Sequence, residues 1–193
     1  MNRPDHTERQ GHAHRAGARW TLRDATRPDH DQVDAAFAAH DLSTVDGYGR
    51  FLSAQARAFV AIERAVEAAG ASVLIGDWAE RRRADLLLED LADLGLEPGG
   101  QIAAPAMATD AAVLGAVYVL EGSRLGGAVL SGQAPENAPR RFLGSEGAGP
   151  RWRTLVALID DRLTGEGDIA DAVGAARSVF QCFHRAAMGS AAA

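Results

Sequence analysis

The stretch YVLEGSRLGG, residues 118–127, has the composition of a helix but contains three glycines. A glycine inside a helix costs about 0.5–1 kcal/mol relative to alanine, so Gly122, Gly126 and Gly127 all weaken this helix. Gly122 and Gly126 are four residues apart and share one helical face. A bare strip of this kind indicates either close packing against another helix or a flat ligand lying on the backbone. The spacing alone leaves both interpretations open.

The composition of the whole chain is that of a soluble protein rich in helix. Its 193 residues, 47% hydrophobic and 24% charged, suit one domain with a sizeable core. The net charge of −6 argues against a general nucleic-acid binder. Cys182 is the single cysteine, which suits a reducing cytosol, and no apolar run reaches the roughly 18–20 residues needed to cross a membrane. We therefore expect a cytoplasmic protein that binds neither nucleic acid nor membrane.

Apolar periodicity predicts helices throughout and no alternating strand. Thr21, with Asp24 three residues later, predicts the start of the first helix, and the pair Asp77 and Glu80 predicts a capping box at the third. The expected helices cover residues 21–40, 47–69, 77–95, 106–131, 150–163 and 167–188.

These helices predict a single-domain, all-α bundle over residues 20–188. A polar N-terminal tail, residues 1–19, is expected to be disordered, and residues 189–193 form a C-terminal tail. The tail histidines could bind metal loosely, but a floppy segment is the simpler interpretation. They are His6, His12 and His14.

His30 is the first candidate for chemistry outside the glycine stretch. It precedes Val33 by three residues and Phe37 by seven, which places it at the edge of the apolar face of the first helix. A neutral imidazole there is a good ligand for a metal or a haem iron. From the position alone, however, the simpler interpretation is a core histidine bonded to a neighbouring carbonyl.

Two segments, taken together, resemble the biliverdin-producing haem oxygenases of the bacterial type. LRDATRPDH, residues 22–30, is similar to that family's opening helix, where the histidine binds haem iron. YVLEGSRLGGAVL, residues 118–130, is similar to the distal helix, whose glycines lie over the haem face. YGRFLSAQARAFVAIERAVE (48–67) and AERRRADLLLEDLADLG (79–95) resemble the intervening helices, so the resemblance covers about residues 20–188.

The resemblance implies a role for nine residues. His30 would be the iron ligand, and Gly122, Ser123 and Gly126 would act at the distal oxygen site. The remaining haem contacts would come from Arg23, Gly127, Arg153, Phe180 and Phe183.

The resemblance also implies the reaction and the partners. Haem would be both cofactor and substrate, and it would be converted with molecular oxygen to biliverdin, ferrous iron and carbon monoxide. Electrons would come from an external donor such as a ferredoxin or a flavin reductase. The arginine run 81–83 is most simply a solvated helix face, but with Arg140 and Arg141 it could be the footprint of an acidic donor.

The sequence departs from the family pattern at three points, and the first two of them keep an alternative open. Pro28 should kink or delay the first helix, Ser123 stands where the mammalian pattern has aspartate, and Tyr118 is one position away from a propionate-binding tyrosine. The alternative is a non-catalytic haem or tetrapyrrole carrier or sensor on the same fold. A thiaminase-type enzyme would need a cysteine in the middle of the chain, and there is none.

Overall fold

The protein is an all-α bundle in the computed structural model, which describes residues 17–190 and contains no strand in that range. Residues 1–16 and 191–193, with the tail histidines His6, His12 and His14, lie outside the described residues. The helices are α1 (Ala18–Phe37), α2 (Val45–Ala68), α3 (Ala71–Leu74), α4 (Trp78–Arg81), α5 (Ala84–Asp93), α6 (Asp110–Ser131), α7 (Ala148–Arg162) and α8 (Glu166–Ser190).

The long helix α6 lies at the centre of the bundle and packs closely on α8. At their crossing a Cβ on Gly115 would lie 2.1 Å from the carbonyl oxygen of Ala172, so the two backbones can meet only because residue 115 has no side chain. In the described part of the chain, α6 alone is long and apolar enough to cross a membrane. Since 56% of its most apolar window is buried in the bundle, it is explained as a core helix.

The first helix begins earlier than predicted, at Ala18 rather than Thr21. Its start is held by α7, because the Asp160 carboxylate accepts a hydrogen bond from the Arg19 backbone N–H at 2.9 Å. The same carboxylate lies 3.2 Å from the Arg19 guanidinium. A distant acidic side chain thus performs the capping role that the sequence pattern assigned to Thr21.

Pro28 neither delays α1 nor ends it. The helix starts ten positions before Pro28 and continues to Phe37. On α8, Arg177 donates a 2.8 Å hydrogen bond to the carbonyl oxygen of Ala25 and lies 3.6 Å from the Asp29 carboxylate. These contacts hold α1 against α8 on both sides of the proline, where a backbone hydrogen bond is missing.

The predicted third helix is in fact two helices, α4 and α5, because the chain is extended at Arg82. Glu63 of α2 stabilises the break: its carboxylate accepts hydrogen bonds from the backbone N–H groups of Arg83 at 2.7 Å and Ala84 at 3.0 Å. The predicted capping box does not form, since the Asp77 side chain makes no cap bond and instead accepts hydrogen bonds from Arg81.

The interruption allows Arg81 and Arg83 to be buried together. Two residues apart on a continuous helix, they would point in nearly opposite directions. The expectation that the run 81–83 forms a solvated face or a docking patch is therefore wrong for Arg81 and Arg83, each only 2% exposed. Arg82 is the exposed member of the run, and it pairs with Glu67.

Arg81 anchors α6 from the side through a buried ionic network. Its guanidinium donates to Asp77 and, at 3.0 Å, to Glu121 on α6. Arg124, one turn further along α6, pairs with Glu121 and donates to the Arg81 carbonyl oxygen at 2.6 Å. Because the network has two contacts on α6, it fixes both the position and the rotation of that helix.

We predict that Arg81→Ala lowers the free energy of unfolding by about 3–5 kcal/mol, since it leaves the buried Glu121 carboxylate without its main partner. Arg82→Ala is the matched control, because it removes a neighbouring arginine whose side chain is exposed. Denaturant titration followed by circular dichroism measures both variants. Equal losses for the two would contradict the structural role given to Arg81.

Candidate functional site

A cavity of about 1200 Å³ lies between α1 and α6. Both helices pack on α7 and α8, which separate them and leave an open cleft. The volume exceeds the roughly 300–1,000 Å³ typical of small-molecule pockets. The cleft is therefore large enough for a ligand of considerable size.

His30 lines the cavity on the α1 side. Its side chain is 57% exposed, and its Nδ1 atom lies 3.2 Å from an Asp34 carboxylate oxygen one turn later. The ring packs edge-on against Phe180 at 5.8 Å between centroids. Since Nδ1 is directed at a carboxylate, Nε2 is the ring nitrogen left for a bond to a ligand.

Gly122 and Gly126 line the opposite wall, on α6. A Cβ at Gly126 would meet no atom within 4 Å, and one at Gly122 would meet only the Trp152 ring, at 3.8 Å. Helix packing therefore does not explain why these two positions lack side chains. The bare face of α6 points into the cavity.

Gly127 has a different environment, although the sequence analysis grouped it with the other two. It is not among the residues that line the cavity. A Cβ there would lie 2.9 Å from the carbonyl oxygen of Leu143, so this glycine allows the segment after α6 to pack closely. The two interpretations of the strip therefore apply to different glycines. Gly127 allows close packing, whereas Gly122 and Gly126 form an open face on which a ligand can lie.

Ser123 lies beside the bare face and also lines the cavity. Its hydroxyl donates to the carbonyl oxygen of Leu120 at 2.7 Å and accepts a hydrogen bond from the Arg83 guanidinium at 2.9 Å. One lone pair of the hydroxyl is left to accept another bond. Arg83 itself also lines the cavity. The sequence did not predict this, because the arginine run 81–83 was interpreted as a solvated face.

One end of the cavity is cationic and aromatic. Arg23 lines it, with its guanidinium over the Trp20 ring at 5.6 Å. Tyr118 lies at the same end and packs against Trp152 at 5.1 Å between ring centroids. Burial raises the pKa of the Tyr118 hydroxyl, and the nearby Arg23 charge partly opposes this rise.

Tyr118 could have been found from the sequence. It precedes Gly122 by four residues and Gly126 by eight, and this spacing puts all three on one helical face. Because it is one position away from the family's tyrosine, the comparison with the family pattern gave it no role. In the structure Tyr118 and the two glycines line the same cavity.

The remaining predicted contacts divide into two groups. Phe180 and Phe183 of α8 are buried and line the cavity. Arg153 is exposed on α7 and is not among the lining residues. The structure thus brings His30, Arg23, Ser123, the two cavity glycines and both phenylalanines together, and it leaves Gly127 and Arg153 outside.

Sequence comparison decides the family. The chain is 34% identical over 120 residues to a heme oxygenase of Xanthomonas campestris pv. campestris (strain 8004), a match that covers 58% of this chain and 71% of the relative. The chain belongs to the haem oxygenase family. No protein-family model matches this chain.

Solved structures confirm that the fold is that of bacterial haem oxygenases. The heme oxygenase from Neisseria meningitidis, solved in NO- and CO-bound forms, superimposes with a TM-score of 0.77 at 24% identity, covering 90% of this chain and 92% of that one. The heme oxygenase from Leptospira interrogans gives a TM-score of 0.67 at 18% identity, covering 90% and 99%. The resemblance stated from the two sequence segments is therefore confirmed.

The two kinds of glycine in α6 should respond oppositely to alanine. We predict that Gly126→Ala raises the free energy of unfolding by about 0.5–1 kcal/mol, because the new methyl group enters open space and alanine favours a helix. Gly127→Ala should lower it, because the clash with the Leu143 backbone costs about 1–3 kcal/mol and outweighs the gain in helix propensity. Thermal and urea unfolding of the ligand-free protein measure both; a loss at Gly126 would mean that its surface is packed.

Proposed function

We propose that this protein binds haem in the cleft between α1 and α6 and degrades it to biliverdin, ferrous iron and carbon monoxide. The observation that carries the proposal is that His30 and the bare face at Gly122 and Gly126 line the same cavity from different helices. A histidine in the core and a glycine strip for helix packing would have no reason to face the same cleft. A flat macrocycle with a central metal requires both.

His30 is the proposed iron ligand. Its Nδ1 atom at 3.2 Å from the Asp34 carboxylate would fix the tautomer that carries the proton there, so that Nε2 is free to bind iron. Phe180 supports the ring from the side at 5.8 Å. These two contacts would restrict the rotation of an otherwise exposed imidazole.

Gly122 and Gly126 are the proposed distal surface. Haem is the substrate, and when bound its iron supplies the chemistry that activates molecular oxygen. The chain's contribution on this side is to keep side chains away from the macrocycle and from the oxygen site. Ser123 adds a hydroxyl whose free lone pair can accept a hydrogen bond from water beside that site.

Arg23 and Tyr118 are the proposed contacts for the haem propionates. Both lie at one end of the cavity, where a guanidinium and a phenol can each donate to a carboxylate. Phe180 and Phe183 would pack against the apolar part of the macrocycle. Arg153 is not included, because it lies outside the cavity lining.

An external electron donor, such as a ferredoxin or a flavin reductase, belongs to the same proposal, as does a cytoplasmic location. Residues 81–83 do not form a docking surface for this donor, because Arg81 and Arg83 are buried. Arg141 is exposed but already engaged in ion pairs, with Asp90 at 3.0 Å and Asp93 at 2.7 Å.

The alternative of a haem carrier or sensor rested on Pro28 and Ser123. The helix α1 runs through Pro28 to His30 and beyond, and Ser123 lies in the cavity wall. Neither departure disturbs the arrangement on which the oxygenase proposal rests. Incubating the haem-loaded protein with a reductant in air distinguishes the two: an oxygenase replaces the Soret band with the absorbance of biliverdin, whereas a carrier retains intact haem.

We predict that His30→Ala changes the spectrum of bound haem and abolishes its conversion to biliverdin, and that added imidazole restores part of the activity. His40→Ala is the matched control, because His40 lines the same cavity but lies beyond the end of α1, where its ring packs against Phe37 and Phe51. Absorbance spectra and single-turnover rates measure both variants. Normal turnover in His30→Ala would refute the proposed ligand.

Gly126→Leu should block turnover while the protein stays folded, because the cavity has room for the side chain only where haem and oxygen would lie. Far-ultraviolet circular dichroism reports the fold, and biliverdin formation reports the activity. Gly174→Leu serves as a control, since it places the same side chain at an open position on α8 outside the cavity. Undiminished biliverdin formation in Gly126→Leu would show that the bare face is not the distal surface.

A further inference from the structure

Arg83 is a buried cation in the cavity wall, and it has no carboxylate partner within residues 17–190. The residue is 2% exposed. Its guanidinium donates to the carbonyl oxygens of Leu120 at 2.5 Å and Phe142 at 3.4 Å, and to the Ser123 hydroxyl at 2.9 Å. All three acceptors are neutral groups, so these contacts orient the guanidinium without balancing its charge.

The other surroundings of Arg83 balance its charge only in part. Its Nε atom is buried without a hydrogen-bond partner, and the Phe59 and Phe142 rings lie 4.9 Å from the guanidinium carbon. The Glu63 and Glu121 carboxylates are near enough to favour the charged guanidinium, but neither accepts a hydrogen bond from it. Glu63 accepts from the backbone N–H groups of Arg83 and Ala84, and Glu121 accepts from Arg81 and Arg124. Burying a charge is costly, and these carboxylates and the aromatic faces offset part of that cost.

The guanidinium remains charged at neutral pH. Burial, followed by repulsion from Arg124, lowers the pKa of Arg83 to about 9, which is still well above 7. The cavity therefore has a fixed positive charge in its wall next to Ser123, on the side of the proposed distal surface.

We propose that Arg83, next to Ser123, provides a subsite for a small anion on the distal side of bound haem, and that its charge makes this side select anions over neutral ligands. The inference rests on the proposed function, because it requires haem to lie between His30 and the α6 face. A fixed charge in a surrounding of low polarity acts strongly on an anion and hardly at all on a neutral molecule of similar size.

The test compares an anionic with a neutral probe in the haem-loaded protein. Azide is titrated into the ferric form and carbon monoxide into the ferrous form, and absorbance gives each dissociation constant. Arg83→Met replaces the guanidinium with an unbranched apolar side chain and so removes the charge. Azide should bind at least about tenfold more weakly in Arg83→Met, the loss expected for a charged hydrogen bond, while the constant for carbon monoxide stays within about twofold.

Two further variants complete the comparison. Arg83→Lys keeps the charge on a different head group, so its azide affinity should lie between those of the wild type and Arg83→Met; it carries the test if Arg83→Met does not fold. Arg64→Gln removes one positive charge from an exposed position on α2 and should leave both constants unchanged. This control separates a local effect from a change in net charge.

The possible outcomes are distinct. Parallel loss of azide and carbon monoxide affinity would assign Arg83 a structural role only, and unchanged azide affinity would exclude the subsite; either result overturns the inference. Failure of the proposed function looks different, because the wild-type protein would then not bind haem, or His30→Ala would leave the haem spectrum unchanged.

Discussion

A helix that turns bare backbone towards a cavity must be held by its other faces, and this constraint governs the bundle. Gly115 meets the Ala172 carbonyl of α8, and Gly127 meets the Leu143 carbonyl of the following segment. Between them, Glu121 ties α6 to Arg81 through a buried ion pair, and Arg124 does so through a hydrogen bond to the Arg81 carbonyl oxygen. Together these contacts compensate for the absence of side-chain packing at the exposed glycines.

The opposite wall of the cleft is held by contacts at three points along α1. Asp160 of α7 caps its start, and Arg177 of α8 binds Ala25 and Asp29 beside the proline. Further along, Phe180 packs against the His30 ring. The two walls do not form a major contact with each other, so α7 and α8 set the distance between them. The width of the cleft is thus a property of the helices beneath it.

Local patterns predicted most of the fold, and long-range contacts account for what they missed. The 3.6-residue periodicity located the long helices, and the spacing of Gly122 and Gly126 indicated one face. The break at Arg82 was not predictable, because the carboxylate that caps it, Glu63, is about twenty residues away in the sequence. The start of α1 was missed for the same reason, since Asp160 lies on a distant helix.

The same contrast between local patterns and long-range contacts explains which residues of the candidate site were predicted. His30, Arg23 and the α8 phenylalanines were placed in the cavity by local pattern and family resemblance together. Arg83 was missed because a run of three arginines is usually solvated, and only the interruption of the helix buries it. Tyr118 was missed although its spacing from Gly122 held the necessary signal.

Neighbouring residues of α6 have different roles, since some face the cavity and others face the ionic network or the packed segments. Which residue faces which side therefore matters more than the overall composition of the helix. Successive residues are about 100° apart around a helix, so one residue inserted just before Glu121 would rotate every later residue of the helix by that angle. The cavity would then face charged side chains such as Glu121 or Arg124, and the ionic network would face open space. We therefore expect changes in chain length within α6 to be more damaging than most single substitutions there, and the connections on either side to tolerate them better.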